Sequence, residues 1–191
     1  VTRMISSVCD AATMRLIALA EKKLGPAPVP YAFLALGSHG RQEMTLTSDQ
    51  DNAIIYSLPA EPEAQLAAES YLHELGVFVC EGLDKAGYKF CSGNVMAQNP
   101  RWCQPVAVWK QYFSNWINLP EPRQLLEFTI FFDFRPVYGS VELAQELRRH
   151  VFGELRAQPA FYPHFAQNSL LFKPPTRLLG RIISGGAGGD P

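Results

Sequence analysis

Residues 37–51 read GSHGRQEMTLTSDQD and join two apolar runs, residues 31–36 and 52–58. Those runs are rich in aliphatic, aromatic and β-branched residues, which predicts two short strands. The segment between them, which we call the central motif, combines two glycines, an arginine, a glutamate and a D-x-D pair. A turn that only links two strands does not need that mixture, so we expect the functional site within the central motif.

The composition limits the classes of protein to consider. The chain has 191 residues, is 47% hydrophobic and carries a net charge of −1, which allows one domain with a sizeable core or one domain and part of another. The basic residues are scattered rather than gathered in a stripe, so we expect no nucleic-acid partner. No apolar run has the length of a membrane span and no signal peptide is recognisable, so we expect no membrane partner and a cytoplasmic location. The four cysteines lack the paired spacing of a zinc site and are expected to be buried free thiols.

Apolar periodicity predicts helices around the two strands. A long helix is predicted over residues 63–86, and residues 88–96 (YKFCSGNVM) predict a third strand. The order strand, motif, strand, helix, strand indicates an α/β or α+β fold. Another helix is predicted over residues 1–24, with an apolar stripe at Val1, Ile5, Val8, Ala12, Leu16 and Ala20.

The second half of the chain is predominantly helical and aromatic. A helix from Pro100 onward carries aromatic residues at helical spacing, which favours core packing over a ligand-stacking platform. Further helices are predicted over residues 123–137, 141–152 and 161–179. Charge and sequence style change near Gly139, so we expect a soft domain boundary there.

Asp49 and Asp51 stand two apart in the sequence. On a strand their side chains would point to the same face, with Cα atoms roughly 6.6 Å apart. Two carboxylates at that spacing suit Mg²⁺, which takes oxygen ligands and completes its shell with waters and substrate phosphates. A bound cation would also relieve the repulsion between the carboxylates. The D-x-D pair therefore predicts a magnesium site.

The first part of the central motif suits an anion. Gly37, Ser38 and Gly40 allow the backbone to approach a phosphate closely, and Ser38 adds a hydroxyl donor. Arg41 offers a planar fork of donors for phosphate oxygens. A phosphate cradle followed by a metal site fits metal-assisted attack on a nucleoside triphosphate (NTP), with pyrophosphate as the leaving group. The sequence has no Walker pattern, which disfavours a P-loop ATPase.

Alternatives remain open for several of these residues. Turn-forming residues with a D-x-D pair also occur in purely structural or calcium-binding loops, although the segment lacks the glycine and terminal glutamate of an EF-hand. Glu43 either orients Arg41 through a salt bridge or fixes the loop. His39 is expected to be a loop donor rather than a general base, because the sequence shows no partner for it.

The compound pattern G-S-x-G-R-x-E followed by S-D-x-D resembles the nucleotidyltransferase superfamily that includes DNA polymerase β. Within that superfamily it is most similar to bacterial nucleotidyltransferases related to PII-protein uridylyltransferase and glutamine-synthetase adenylyltransferase. Two later pieces, GNVMAQNPRW at residues 93–102 and FFDFRPVYG at residues 131–139, resemble the same group.

The resemblance implies a nucleotidyltransferase fold, a small mixed sheet flanked by helices and followed by a helical segment. It implies a nucleotidyltransferase domain over residues 1–140, with the catalytic core at residues 31–139, and the start of a helical substrate-binding region at residues 141–191. Members of the group are commonly joined to CBS and cyclic-nucleotide-binding modules. The chain begins with Val1 and has a glycine-rich tail at residues 184–189. We therefore expect other domains of a longer chain to be its partners.

The activity implied by the resemblance is Mg²⁺-dependent transfer of a nucleoside monophosphate from an NTP to an acceptor, with a regulatory protein as the acceptor in a signalling pathway. Matched to the family pattern, Gly37 and Ser38 would hold the triphosphate, while Asp49 and Asp51 would bind Mg²⁺. The residues with less settled roles are Glu43, Ser48 and Asp133. The rival hypotheses are a catalytically silent nucleotide-binding regulatory module and a protein-interaction domain built on the aromatic helix.

Many members of the family place a third carboxylate on a later strand to activate the acceptor hydroxyl. The predicted third strand offers Asn94 but no acid. Asp133 and Glu127 are candidate substitutes, although both fall in a predicted helix. A structural ion pair between Asp133 and Arg135 is the favoured alternative for Asp133.

Overall fold

The computed structural model describes residues 1–119 and 121–169 of the chain. Helices and strands alternate through the first part, and helices dominate the second. In chain order the elements are α1 (Thr2–Leu24), β1 (Tyr31–Ala35), α2 (Gly37–Gly40), β2 (Asn52–Tyr56), α3 (Pro62–Lys85), a 3-10 turn (Pro100–Trp102), β3 (Cys103–Pro105), α4 (Val106–Asn118), α5 (Pro122–Phe132), β4 (Arg135–Gly139), α6 (Val141–Ala157) and α7 (Phe161–Ser169).

The four strands form one mixed sheet in the order β3-β2-β1-β4. Strand β1 is antiparallel to both β2 and β4, whereas β2 and β3 are parallel. Ala35 at the end of β1 pairs with Asn52 at the start of β2. The two ends of the central motif therefore meet at the same end of the β1–β2 strand pair. The small mixed sheet flanked by helices confirms the predicted fold class.

Both faces of the sheet are covered, which explains why every residue of β1 and β2 is buried. Side chains alternate between the faces. Phe33 and Ile54 pack with the residues of α1 and α3, while Leu34 and Ile55 pack with those of α4, α5 and α6. The chain thus builds a three-layer core with the sheet in the middle.

The aromatic helix α4 belongs to this core. Trp109, Phe113 and Trp116 are all at most 3% exposed. The indole Nε1 of Trp109 donates a hydrogen bond to the carbonyl oxygen of Ile54 at 3.0 Å, which fixes the ring against the sheet. The core-packing interpretation is confirmed, because rings buried in this way present no open stacking surface.

The predicted third strand at residues 88–96 is wrong. These residues are irregular apart from a turn at Ser92 and Gly93, and the third strand of the sheet is instead β3. Asn94 adopts a positive φ of 53°, which a regular strand does not allow. The buried side chains of Gln50 and Asn52, which flank Asp51, hold this segment through hydrogen bonds.

The predicted helix over residues 123–137 ends earlier than expected. Helix α5 stops at Phe132, and Arg135 begins strand β4. Pro136 explains the change, because proline disfavours helical backbone at the residue before it. Proline is tolerated in β4 because that strand lies at the edge of the sheet.

The buried face of α1 also differs from the predicted stripe. Val1 and Val8 are exposed, whereas Ala20 is buried as predicted. The fully buried residues are largely small or polar, namely Ser6, Cys9, Thr13, Ile17 and Ala20. Small side chains allow α1 to approach its neighbours closely, and the polar ones provide contacts for the central motif.

The helix predicted over residues 141–152 is confirmed as α6, which packs Leu147 and Val151 into the core next to α4. Helix α7 ends at Ser169, and the rest of the helix predicted over residues 161–179 lies outside the described residues. The domain division at residue 140 stays a prediction. Within the part of the chain that the structure describes, no helix is both long and apolar enough to cross a bilayer.

Candidate nucleotide and metal site

The central motif starts with one turn of helix, α2, directly after β1. Gly37 has a φ of 50°, and the amide of Gly40 donates back to the carbonyl of Leu36 at 2.9 Å. The amide of Glu43 then donates to the carbonyl of Ser38 at 2.7 Å. These bonds fold the phosphate-cradle residues of the prediction into a compact turn at the end of the sheet.

Asp51 lies against the backbone of this turn. Its carbonyl accepts a hydrogen bond from the amide of Leu36 at 3.0 Å, which places it across from Gly37. A Cβ atom at Gly37 would stand 3.2 Å from Oδ2 of Asp51. Because glycine has no Cβ atom, the carboxylate of Asp51 fits beside it without crowding. The fold thus places the carboxylate of Asp51, the predicted metal ligand, beside Gly37, a predicted phosphate-binding residue.

The residues that alternate with the two aspartates face inward. Gln50 and Asn52 are both 3% exposed, while Asp49 and Asp51 are only half-buried. The side-chain amide of Gln50 donates to the carbonyl of Tyr88 at 2.9 Å. Oδ1 of Asn52 accepts from the amide of Ala97 at 2.8 Å. Residues 88–97 are thereby held beside the carboxylates.

One consequence is that Cys91 faces Asp51. Burial raises the pKa of the Asp51 carboxyl from 3.8 to about 6, the hydrogen bond from Cys91 lowers it, and the charge of Asp49 raises it again. A carboxylate that is buried next to another one gains from a bound cation. The two aspartates thus have the chemistry of a magnesium site.

No cluster of three or more His, Cys, Asp or Glu side chains arranged to hold a metal occurs among the described residues. A Mg²⁺ ion held by Asp49 and Asp51 would therefore take its other ligands from waters and from the phosphates of a substrate, as this ion commonly does.

The raised pKa of Asp51 leads to a testable prediction for the metal-free protein. The folded protein binds the Asp51 proton more tightly than the unfolded chain does, so stability falls as pH rises from about 4 to about 6. Asp51→Asn removes this loss. In EDTA, the substitution should raise the melting temperature near pH 8 and raise it much less near pH 4, as thermal unfolding would show. Glu81→Gln, an exposed acid on α3, is the control. An Asp51→Asn effect of the same size at both pH values would contradict the burial of this charge.

The candidates for a third carboxylate are engaged elsewhere. Glu127 accepts hydrogen bonds from Arg101 at 2.8 and 3.0 Å and from the indole of Trp116 at 2.8 Å. These bonds attach α5 to the 3-10 turn and to α4. Asp133 follows α5, and its Oδ2 accepts from Arg41 at 3.1 Å. The predicted pair of Asp133 with Arg135 is wrong, because α1 supplies the partner of Arg135.

Arg41 lies between two acids. Its Nε donates to Glu43 at 2.8 Å, which is the predicted salt bridge, and the other acid is Asp133. The hydrogen bond to Glu43 raises the pKa of Arg41, burial lowers it, and the hydrogen bond to Asp133 raises it again. With 42% of the Arg41 side chain exposed, the guanidinium can still reach a ligand in solvent.

Ser48 and Ser38 have different surroundings. The hydroxyl of Ser48 accepts from the amide of Thr45 at 2.9 Å, so it closes the turn that leads into Asp49. Ser38 is half-buried in the turn beside Gly37. The roles predicted for both serines toward a ligand stay predictions.

The structure shows a partner for His39, which the sequence predicts to be a loop donor without revealing what it donates to. His39 is buried, and its Nε2 lies 2.7 Å from Oδ1 of Asp10 in α1. The correct partner could not be found by inspecting the neighbouring sequence, because it stands 29 residues away.

The chain was also compared with models of protein families. Residues 1–123 match the family described as "Putative nucleotidyltransferase DUF294". The chain belongs to this family. The matched part of the DUF294 domain contains the central motif, the sheet strands β1 to β3 and the aromatic helix α4. A comparison with curated proteins finds no match.

Several residues of the candidate site were missed from sequence. Asp10 lies in helix α1, for which the sequence predicts only an apolar stripe, and Cys91 lies in a segment predicted as a strand. Gln50 and Asn52 carried the one available signal, since two polar residues alternate with the two acids. In an extended segment such alternation places Gln50 and Asn52 on one face and the two aspartates on the other. The first pair can then face the interior while the second faces the site.

Proposed function

We propose that this DUF294 domain is a magnesium-dependent nucleotidyltransferase that moves a nucleoside monophosphate from an NTP to an acceptor. The observation that carries the proposal is that the Asp51 carboxylate lies beside Gly37, where its Oδ2 would stand 3.2 Å from a Cβ atom built on the glycine. A metal ligand beside a phosphate-binding turn would bring Mg²⁺ and the triphosphate together. Membership of a nucleotidyltransferase family supports the same class of reaction.

In this proposal the turn at Gly37, Ser38 and Gly40 holds the triphosphate, and Arg41 turns its free donors toward phosphate oxygens. Asp49 and Asp51 hold Mg²⁺, which neutralises phosphate charge when bound. The acceptor oxygen attacks the α-phosphorus, the bond to the bridging oxygen breaks, and pyrophosphate leaves. The acceptor proton passes to a base, for which Asp133 is our candidate once a bound phosphate draws Arg41 away from it.

The finer features of the proposal extend the same reasoning. We propose a regulatory protein as the acceptor, in a signalling role similar to that of the uridylyltransferase and adenylyltransferase group, and CBS or cyclic-nucleotide-binding modules as partner domains. We place the reaction in the cytoplasm, where the four free cysteines would stay reduced.

A second candidate function has its own supporting observation. No third acid joins Asp49 and Asp51 in a metal cluster within the described residues. This favours a catalytically silent module that binds nucleotides for regulation.

Pyrophosphate release separates the two functions. The whole protein would be incubated with each of the four NTPs, with Mg²⁺ or with EDTA, and with candidate acceptor proteins. We expect Mg²⁺-dependent release with at least one NTP. Measurable NTP binding without release under any of these conditions would favour the silent module instead.

A further inference from the structure

We infer that Asp10 of α1 and Arg135 of β4 are positioning residues which, acting through His39, fix the Gly37–Gly40 turn where it receives the triphosphate. The inference rests on the proposed function of that turn. It assigns a role in nucleotide binding to two residues that lie far from the turn in sequence and that do not themselves touch the substrate.

Both the side chain and the backbone of His39 are held. Oδ1 of Asp10 accepts from Nε2 of His39 at 2.7 Å and from Arg135 at 2.9 Å. The same nitrogen of Arg135 donates to the carbonyl oxygen of His39 at 3.3 Å. We call Asp10, His39 and Arg135 the His39 network. It connects α1, the turn and β4, so the turn cannot move without breaking a buried contact.

One ring nitrogen of His39 carries the proton that faces Asp10. An ionised carboxylate only accepts hydrogen bonds, so the proton lies on Nε2 of His39. Burial lowers the pKa of His39, the bonds to Asp10 oppose this, and Arg135 lowers it further. Its Nδ1 faces the thiol of Cys9 at 3.9 Å. Arg135 balances the charge of Asp10 beside this imidazole.

A second set of hydrogen bonds from α1 to the sheet provides an internal control. Glu21, also in α1, accepts from the hydroxyls of Tyr31 and Tyr138, both at 2.8 Å. It therefore connects α1 to β1 and β4, whereas Asp10 connects α1 to the turn and β4, and it does so at the end of β1 that is farthest from the turn. If the His39 network only attaches α1 to the sheet, the loss of either carboxylate should affect the site equally.

The experiment compares Asp10→Asn with Glu21→Gln in the whole protein. Each variant keeps the shape of the side chain and removes one charge. Binding of a non-hydrolysable NTP analogue with Mg²⁺ would be measured well below both melting temperatures, together with hydrogen exchange of the amides at residues 37–43. We expect Asp10→Asn to weaken binding by about tenfold and to speed exchange in the turn. Glu21→Gln should leave the affinity and the exchange rates unchanged, even if it lowers the melting temperature as much as Asp10→Asn does.

A further pair of variants tests the route through His39. His39→Gln keeps an N–H donor toward Asp10 and should retain most of the affinity, whereas His39→Ala should behave like Asp10→Asn. Wild-type affinity and wild-type exchange in Asp10→Asn, or an equal loss in Glu21→Gln, would overturn the inference. A wild-type protein that binds no NTP would instead overturn the proposed function, and the exchange rates would still decide whether the His39 network holds the turn.

Discussion

Replacing Asp49 and Asp51 together by asparagine should lower Mg²⁺-dependent turnover by about 10³-fold or more while the protein stays folded. Asparagine has nearly the same shape, but it lacks the charge that a hard cation requires. Both aspartates are only half-buried, and they lie just before the start of the inner strand β2. Removing two carboxylates that repel each other should therefore not cost stability.

Pyrophosphate release and thermal unfolding, measured on the same samples, check this expectation. The control is the double variant Glu74→Gln with Glu81→Gln, which removes the same charge from the exposed face of α3. It should keep full turnover. If the aspartate variant unfolds and the wild type binds no metal, the central motif is a structural turn and the account of the site is wrong.

Gly40→Ala should have the second largest effect. A Cβ atom at this position would collide with the carbonyl oxygen of Asp133 and stand 3.1 Å from that of Ala35. Both obstacles are backbone atoms that cannot rotate away. We expect a loss of about 1–3 kcal/mol in the free energy of unfolding. Because the α5–β4 connection must move, the contact of Asp133 with Arg41 should also break, and the affinity for NTP should fall about tenfold.

Gly153→Ala is the matched control for this substitution. Gly153 also lies in a helix, α6, but no atom stands within 4 Å of its would-be Cβ atom. Alanine favours helices more than glycine does, so Gly153→Ala should leave stability unchanged or raise it slightly. Chemical unfolding and NTP titration of both variants give the comparison. Equal stability of Gly40→Ala and the wild type would contradict the close approach of the turn to Asp133.

The parts of the fold that local sequence determines were predictable. The strands around the central motif and helix α3 follow from apolar runs and periodicity over neighbouring residues. The residues 88–96 were not predictable in the same way, because the bonds from Gln50 and Asn52 decide their shape. Local propensity favours a strand there, and contacts from a distant part of the chain override it.

The candidate site shows the same division. The glycines, arginine and aspartates of the central motif could be identified from sequence as the candidate site, whereas the position of Asp51 beside Gly37 follows from the pairing of β1 with β2. The partner of His39 and the second acid of Arg41 were out of reach, because His39 and Asp10 are 29 residues apart and Arg41 and Asp133 are 92 apart. Such pairs depend on how α1 and β4 pack beside β1, which no short sequence pattern encodes.

The central claim is that the Gly37 turn and the two aspartates act on the α-phosphate of an NTP. Its most direct test supplies the whole protein with NTPs carrying radioactive phosphorus at either the α or the γ position, with a nucleotide-free protein extract as the source of acceptors. The account predicts that the α label becomes attached to an acceptor and that the γ label leaves as pyrophosphate, both only with Mg²⁺. Transfer of the γ label, or transfer of the α label that persists in the variant Asp49→Asn with Asp51→Asn, would contradict it.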